Sequence, residues 1–157
     1  MAARIVGPWS PQRIDRFLAE TVIPLRLGCL TGSGAPLVAS HWFLWRDGAL
    51  WCATPRTARV ARYLAREPRC SFEIATNGMP YRGVRGQGRA SIVPDQGEAV
   101  LRALVARYLG DDRSPFARWL LARTAAEVAI RIEPRRLRGW DFTRRMLGAG
   151  AAPPPCP

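Results

Sequence analysis

Between Pro36 and Trp45 the chain is apolar on both faces: Leu37, Ala39, His41, Phe43 and Trp45 alternate with Val38, Ser40, Trp42 and Leu44. A strand of that kind is expected to be covered twice, once by the core of its own domain and once by a second body such as a subunit or a ligand. Its neighbours in sequence say how it is reached. Leu25, Leu27, Cys29 and Thr31 alternate with Arg26, Gly28 and Leu30 as far as Gly32-Ser33-Gly34, residues that tolerate the positive φ of a hairpin turn. Asp47-Gly48 is a second hairpin signal, and the β-formers of Ala49 to Ala53 follow it. These three strands are expected to form a meander.

Nearer the amino terminus, Ser10-Pro11 has the form of an N-cap with proline at the first helical position; Ile14, Phe17 and Leu18 then recur at helical spacing, predicting a helix over about 11–21. Thr54-Pro55 has the same form and predicts a helix from Pro55 to Glu67, stopped by Pro68. Cys70 to Ala75 and Val84 to Val93 read as strands separated by the turn-rich Asn77-Gly78-Met79-Pro80. Gly86 and Gly88 leave one face of the second strand bare, which marks a bulge or the close approach of another backbone or a ligand. Gln96 to Leu109 is amphipathic at helical spacing, Ser114-Pro115 opens a helix over Phe116 to Arg123, and Glu127 to Ile132 alternates as a sixth strand. Arg135 to Met146 is a basic segment with aromatic residues. The pattern predicts an α+β fold, a small barrel of mainly antiparallel strands with flanking helices. One domain over residues 1–147 and a disordered Gly/Ala/Pro tail over 148–157 are expected.

Charge narrows the chemistry. The net charge is +12, and all 24 basic residues are arginine. Without lysine there is no Schiff base, no lysine general base and no Gly-Lys-Ser phosphate loop. His41 is the single histidine, which excludes a His-rich metal site, and the cysteines lack CxxC spacing, so no metal is assigned. No serine has a GxSxG context. No catalytic side chain is assigned either; an enzyme built from these residues is expected to let a bound cofactor carry the chemistry. No apolar run reaches the roughly 18–20 residues of a membrane span, and the amino terminus lacks a signal-peptide core, so a cytoplasmic protein is expected.

The stretch Thr54 to Arg62 is the most informative. Helix starts carry unpaired N–H groups and a positive dipole, so Arg56 and Arg59 near one are misplaced unless an anion such as phosphate neutralises them. The same residues, with Arg62 and Arg66, are equally consistent with a solvated basic face. A lone histidine on an apolar strand, such as His41, is more often a core or interface residue than a haem ligand, and Trp42, Trp45 and Trp51 fit a core better than a stacking platform. The net charge would suit nucleic acid, but the arginines are spread along the chain without a nucleic-acid motif, which argues against that partner.

Several segments in order resemble the split β-barrel flavoproteins of the pyridoxamine 5′-phosphate oxidase-like superfamily. They are Pro36 to Phe43, Leu50 to Arg56, Arg59 to Leu64 with Glu67-Pro68-Arg69, Tyr81 to Ala90, and Ile132-Glu133-Pro134 with Trp140-Asp141-Phe142. The resemblance implies a homodimer that binds FMN, or alternatively a deazaflavin, in a groove between subunits and acts as an oxidoreductase on a small-molecule substrate. By motif position, Val38, Ala39, Ser40, His41, Trp42 and Phe43 would run along the isoalloxazine ring, Ala53 and Thr54 would meet the ribityl-phosphate, and Arg59 would hold the phosphate. The partner subunit would contribute the strand around Gly83 to Gln87, and Trp140. The family commonly places a lysine immediately after the position of Arg59; this chain has Val60 there, leaving Arg56 or Arg62 to supply charge from a different geometry. Nothing matches the residues by which the true oxidase recognises pyridoxal phosphate. A non-enzymatic cofactor or haem carrier on the same barrel is the competing reading.

Overall fold

The structure is a computed structural model and describes residues 3–110 and 113–147. The expected tail over 148–157 lies outside the described residues. Eight strands form one sheet: β1 (Arg4–Val6), β2 (Leu25–Leu30), β3 (Pro36–His41), β4 (Leu44–Arg46), β5 (Ala49–Pro55), β6 (Arg69–Ala75), β7 (Arg82–Val93) and β8 (Glu127–Asp141). Five helices flank it: α1 (Pro11–Glu20), α2 (Arg59–Arg66), α3 (Gly97–Leu109), α4 (Pro115–Leu121) and α5 (Thr143–Leu147). The strand order is β3-β2-β6-β7-β8-β5-β4, antiparallel throughout, with β1 added parallel to β8.

The expected meander is real in its first hairpin and broken in its second. The segment expected as one strand from Pro36 to Trp45 is two: β3 pairs with β2, while β4 pairs with β5. The chain leaves the ladder at Trp42-Phe43, where the Phe43 N–H donates instead to the Tyr108 hydroxyl at 3.2 Å; that hydroxyl in turn donates to the Ile23 carbonyl at 3.0 Å. Phe43 itself is fully buried in the barrel core with Leu18, Leu25, Leu50 and Ile130. The strand with two covered faces is β5: Leu50 and Cys52 face the barrel, and Ala49 and Trp51 face α3 through Val100 and Leu104. In β3, Pro36, Val38 and Ser40 remain exposed.

Local chemistry explains two of the helix starts, α1 and α4. The Ser10 and Ser114 side chains each accept from the backbone N–H three residues on, with proline in the first turn. Arg107 of α3 donates to the carbonyls of Leu18 and Thr21, placing a cation at the end of α1, where the helix dipole favours one. The Asp47-Gly48 turn has φ of 53° and 69°, the double positive φ of a type I′ hairpin.

Two further expectations need correction. Thr54-Pro55 does not cap a helix. Thr54 and Pro55 continue β5 opposite Val128 and Glu127, the Arg56 N–H donates to the Ala126 carbonyl at 2.8 Å, and the chain turns through Arg56-Thr57 to Ala58, the N-cap. Arg59 is therefore the first helical residue and Arg56 precedes the helix. The strand expected to end at Ile132 runs on to Asp141, because Arg136 to Asp141 pairs with β7 beyond the register shift that leaves Arg135 without a β7 partner, and β1 then covers part of its other edge. The bare glycines of β7 bear out the expected bulge and close approach of another backbone: the ladder shifts register at Gln87/Gly88, and a Cβ on Gly88 would clash with the Glu133 carbonyl oxygen.

Tyr108→Phe removes the acceptor of the half-buried Phe43 N–H and the donor to Ile23. It is expected to lower unfolding free energy by about 1–2 kcal/mol, read by urea denaturation; an unchanged midpoint would show that this bond does not hold the break.

Candidate functional site

Where the chain turns from β3 into β4, the β3 edge and the end of β5 are no longer joined by a ladder. A cavity of about 370 Å³ lies there, bordered by Ser40, His41 and Trp42 on one side, Ala53 and Pro55 on another, and the α4 residues Phe116 and Trp119 on a third. Trp42 stacks on Tyr108 with centroids 4.8 Å apart and planes 10° apart, and meets Phe116 edge-on at 6.3 Å. The His41 Nε2 atom is buried without a hydrogen-bond partner, and burial holds the imidazole below its ordinary pKa, so it is neutral at pH 7. Glu127, buried at the same cavity, has its carboxyl pushed up by desolvation, against a smaller opposite effect of Arg123.

Just past Pro55 comes the start of α2. Its N-cap is Ala58, which has no side chain to accept from the free N–H groups, and no acidic residue lies in the first turn. Arg56, Arg59 and Arg62 are exposed and make no ion pair among the described residues. This is a positive end with no internal anion. The donor set fits a phosphate: backbone N–H groups and guanidinium forks, beside an aromatic-walled cavity that fits a planar ring.

A second, larger groove of about 530 Å³ opens on the outer face of β2, β6, β7 and β8. Cross-strand register builds it in rows. Arg26, Glu73, Arg85 and Arg138 stand opposite one another in turn across β2, β6, β7 and β8, and Gly28, Ser71, Gln87 and Arg136 form the next row. Arg85 and Arg138 are directly opposed like charges, an arrangement that costs stability. Val38, 70% exposed, borders this groove while Ser40, two residues on, borders the cavity.

The residues expected from sequence therefore divide. Ser40, His41, Trp42 and Ala53 come together at the cavity, with Arg56 and Arg59 exposed just beyond it in the chain. Val38 and Gln87 meet at the arginine groove. Ala39 is half-buried and lines neither. Phe43, Thr54 and Val60 are buried, Phe43 and Val60 within the barrel core. Gly83 is buried opposite Trp140, and Trp140 stands half-buried against Phe142 in a smaller groove with Tyr81. Sequence reasoning did not reach Tyr108, Phe116, Trp119 or Glu127; the signal available was the pair Phe116 and Trp119, large aromatics three residues apart on a short helix.

Residues 11–141 match the sequence profile of the family described as pyridoxamine 5′-phosphate oxidase. The chain belongs to this family. None of the curated proteins matches this family member in sequence. Among solved structures it is similar to a conserved hypothetical protein of Mycobacterium tuberculosis, at 26% identity and a TM-score of 0.75, over 96% of this chain and 93% of that one. An F420 reductase aligns at 24% identity and TM-score 0.68, over 82% of this chain and 98% of its own. The haem storage protein of Vibrio cholerae aligns at 18% and 0.62, over 81% and 92%. The last two likenesses establish the split-barrel fold. In this family member no helix among the described residues is long and apolar enough to cross a membrane.

If the α2 start is held in an electrostatically unfavourable state, Arg59→Glu relieves it. The variant is expected to gain about 0.3–1 kcal/mol of stability at low ionic strength, measured by urea unfolding in phosphate-free buffer; a loss of stability would show that Arg59 already has its counter-charge.

Proposed function

We propose that this chain is a flavin-type oxidoreductase that holds FMN, or alternatively a deazaflavin, and passes hydride or electrons to or from a small molecule. The observation that carries the reading is the uncapped, acid-free start of α2 with Arg56, Arg59 and Arg62 unpaired, reached directly from the Ala53 and Pro55 wall of the aromatic cavity. A planar ring would lie along Ser40 to Trp42, and its phosphate would take the α2 N–H groups and guanidiniums. The bound cofactor supplies the redox chemistry; the chain supplies binding, orientation and a neutral His41 at the ring edge.

Val60 fits this scheme better than its sequence position suggests. Its side chain is 7% exposed and packs in the core with Leu64, so charge at the phosphate comes from Arg56, Arg59 or Arg62 around it. The relative described as an F420 reductase supports the deazaflavin alternative, since F420 is a deazaflavin. The open outer face of β3, with Val38 exposed, supports a homodimer in which a second copy covers the apolar strand.

Haem binding without catalysis is the second reading. It is favoured by the orphaned His41 Nε2 beside the cavity and by the fold shared with a haem storage protein.

Titration of the purified protein with FMN, with a deazaflavin and with haem separates these readings by absorbance. FMN or deazaflavin is expected to bind and raise the melting temperature, and Arg59→Ala to weaken that binding by about tenfold through loss of a charge-assisted contact. Failure of both to bind, with a haem spectrum abolished by His41→Ala, would replace the oxidoreductase with the haem carrier.

A further inference from the structure

The chain has one asparagine, Asn77, and a glycine follows it. Asn77-Gly78 lies at the tip of the connection from β6 to β7, where Asn77, Gly78 and Met79 are all exposed. The connection is pinned at its base: the Thr76 N–H donates to the Arg82 carbonyl at 3.0 Å, and the Arg82 N–H donates to the Thr76 hydroxyl at 3.1 Å. Its tip is free. Among the described residues the Gly78 N–H donates to no backbone carbonyl, and a Cβ built at Gly78 would meet nothing within 4 Å. The Asn77 side chain, by contrast, is held. Its Oδ1 accepts from Arg26 Nη2 at 3.4 Å, while Nη1 of the same guanidinium is anchored on the Pro24 carbonyl at 2.9 Å.

These groups are the parts of a reaction the backbone can run on its own. When the Gly78 amide gives its proton to a solvent base, its nitrogen can attack Asn77 Cγ, and the new N–C bond closes a five-membered succinimide. The side-chain nitrogen takes up a proton and leaves as ammonia. One water then opens the ring at either carbonyl, leaving aspartate or isoaspartate at position 77, with no change of oxidation state. Glycine is the residue that least obstructs the attacking nitrogen, and an N–H without a protein acceptor is open to the base. The negative charge of the tetrahedral intermediate develops on Oδ1, the atom to which Arg26 already donates, and a donor placed where charge develops lowers the barrier.

We propose that Asn77 is a self-modification site, deamidating through the Gly78 nitrogen with Arg26 as the oxyanion donor, and that the product carboxylate pairs with Arg26. The consequence is electrostatic. Arg26 borders both the arginine groove and the smaller groove of Trp140 and Phe142, so the reaction sets a fixed negative charge between the two and ties one of their cations into an ion pair. Nothing in this depends on which cofactor, if any, the protein holds.

The test keeps the purified full chain in warm, mildly alkaline, phosphate-free buffer and follows the peptide that carries Asn77 by mass spectrometry. A gain of about 1 Da, for an amide nitrogen replaced by oxygen, is expected at Asn77. Gly78→Ala is expected to slow the gain by about tenfold, and Arg26→Gln by about fivefold. No gain at Asn77, or one as fast in Gly78→Ala, would overturn the site; an undiminished rate in Arg26→Gln would overturn the part given to Arg26. Asn77→Asp tests the pairing with Arg26 left in place. It is expected to raise the melting temperature slightly at low ionic strength, a gain that salt removes. A lowered melting temperature would show that the new carboxylate meets Glu73, which borders the same two grooves, in place of Arg26.

Discussion

Everything distinctive in this molecule depends on one backbone N–H leaving the sheet. A strand apolar on both faces could run unbroken from Pro36 to Arg46, paired with one neighbour. Instead the Phe43 N–H turns to the Tyr108 hydroxyl, so that β3 stays with β2 while β4 joins β5 on the far side of the order. Burying the Phe43 ring at the crossing makes the break stable, since a fully buried aromatic contributes more than the ladder bonds forgone. The cavity exists because β3 and β5 do not pair there, and α3, which supplies Tyr108, also positions the helix that walls it.

Burial then sorts the residues around the break. Alternation along β5 sends Leu50, Cys52 and Thr54 inward and leaves Ala53 and Pro55 at the cavity, small side chains that keep it open. Along β3 the exposed set is Val38 and Ser40, which place one strand at the border of two grooves of different character, one aromatic and one lined by arginine. Burial pushes the His41 imidazole down and the Glu127 carboxyl up at the aromatic cavity, while unpaired arginines collect at α2 and on the outer rows.

Much of this was legible in the sequence. The hairpins, the serine-proline helix starts and the β-rich alternation gave the split barrel, and motif order gave the family. The misreadings share a cause. Thr54-Pro55 satisfies the local rule for a helix start, but proline without an N–H also ends a strand without loss, and pairing with Val128 and Glu127 decided between them. Arg135 to Trp140 looked irregular because Arg135 is the extra residue at a register shift, after which Arg136 and Arg138 face solvent at alternate positions on a strand whose partner lies some fifty residues earlier. Phe43, Thr54 and Val60 were named by position in a motif, which fixes a residue's place along the chain, whereas the fold alone shows that their side chains are buried. Phe116 and Trp119 went unnoticed because a helix's apolar residues are ordinarily its buried ones, and only the fold shows that here the buried residue is Ala117.

The exclusive use of arginine has a physical reading once the contacts are known. Arg13, Arg46, Arg107 and Arg123 lie over the rings of Trp9, Trp51, Phe43 and Trp119, and Arg107 also spans two carbonyls at the end of α1. A planar guanidinium stacks and forks in this way, whereas an ammonium is a hydrated point charge that does neither. These arginines are compensated by the fold. Arg56, Arg59 and Arg62 at the start of α2, and Arg85 opposite Arg138 on the outer rows, are not: they have neither a ring nor a carboxylate in an ion pair among the described residues. Like charge gathered where a dipole or a cross-strand neighbour opposes it raises the energy of the free protein, and an anion lowers that energy at the same two places. The charge that looks uniform in composition is thus divided by the fold into a structural part and a part that favours a negatively charged ligand, and the second part borders the strand that the fold leaves uncovered.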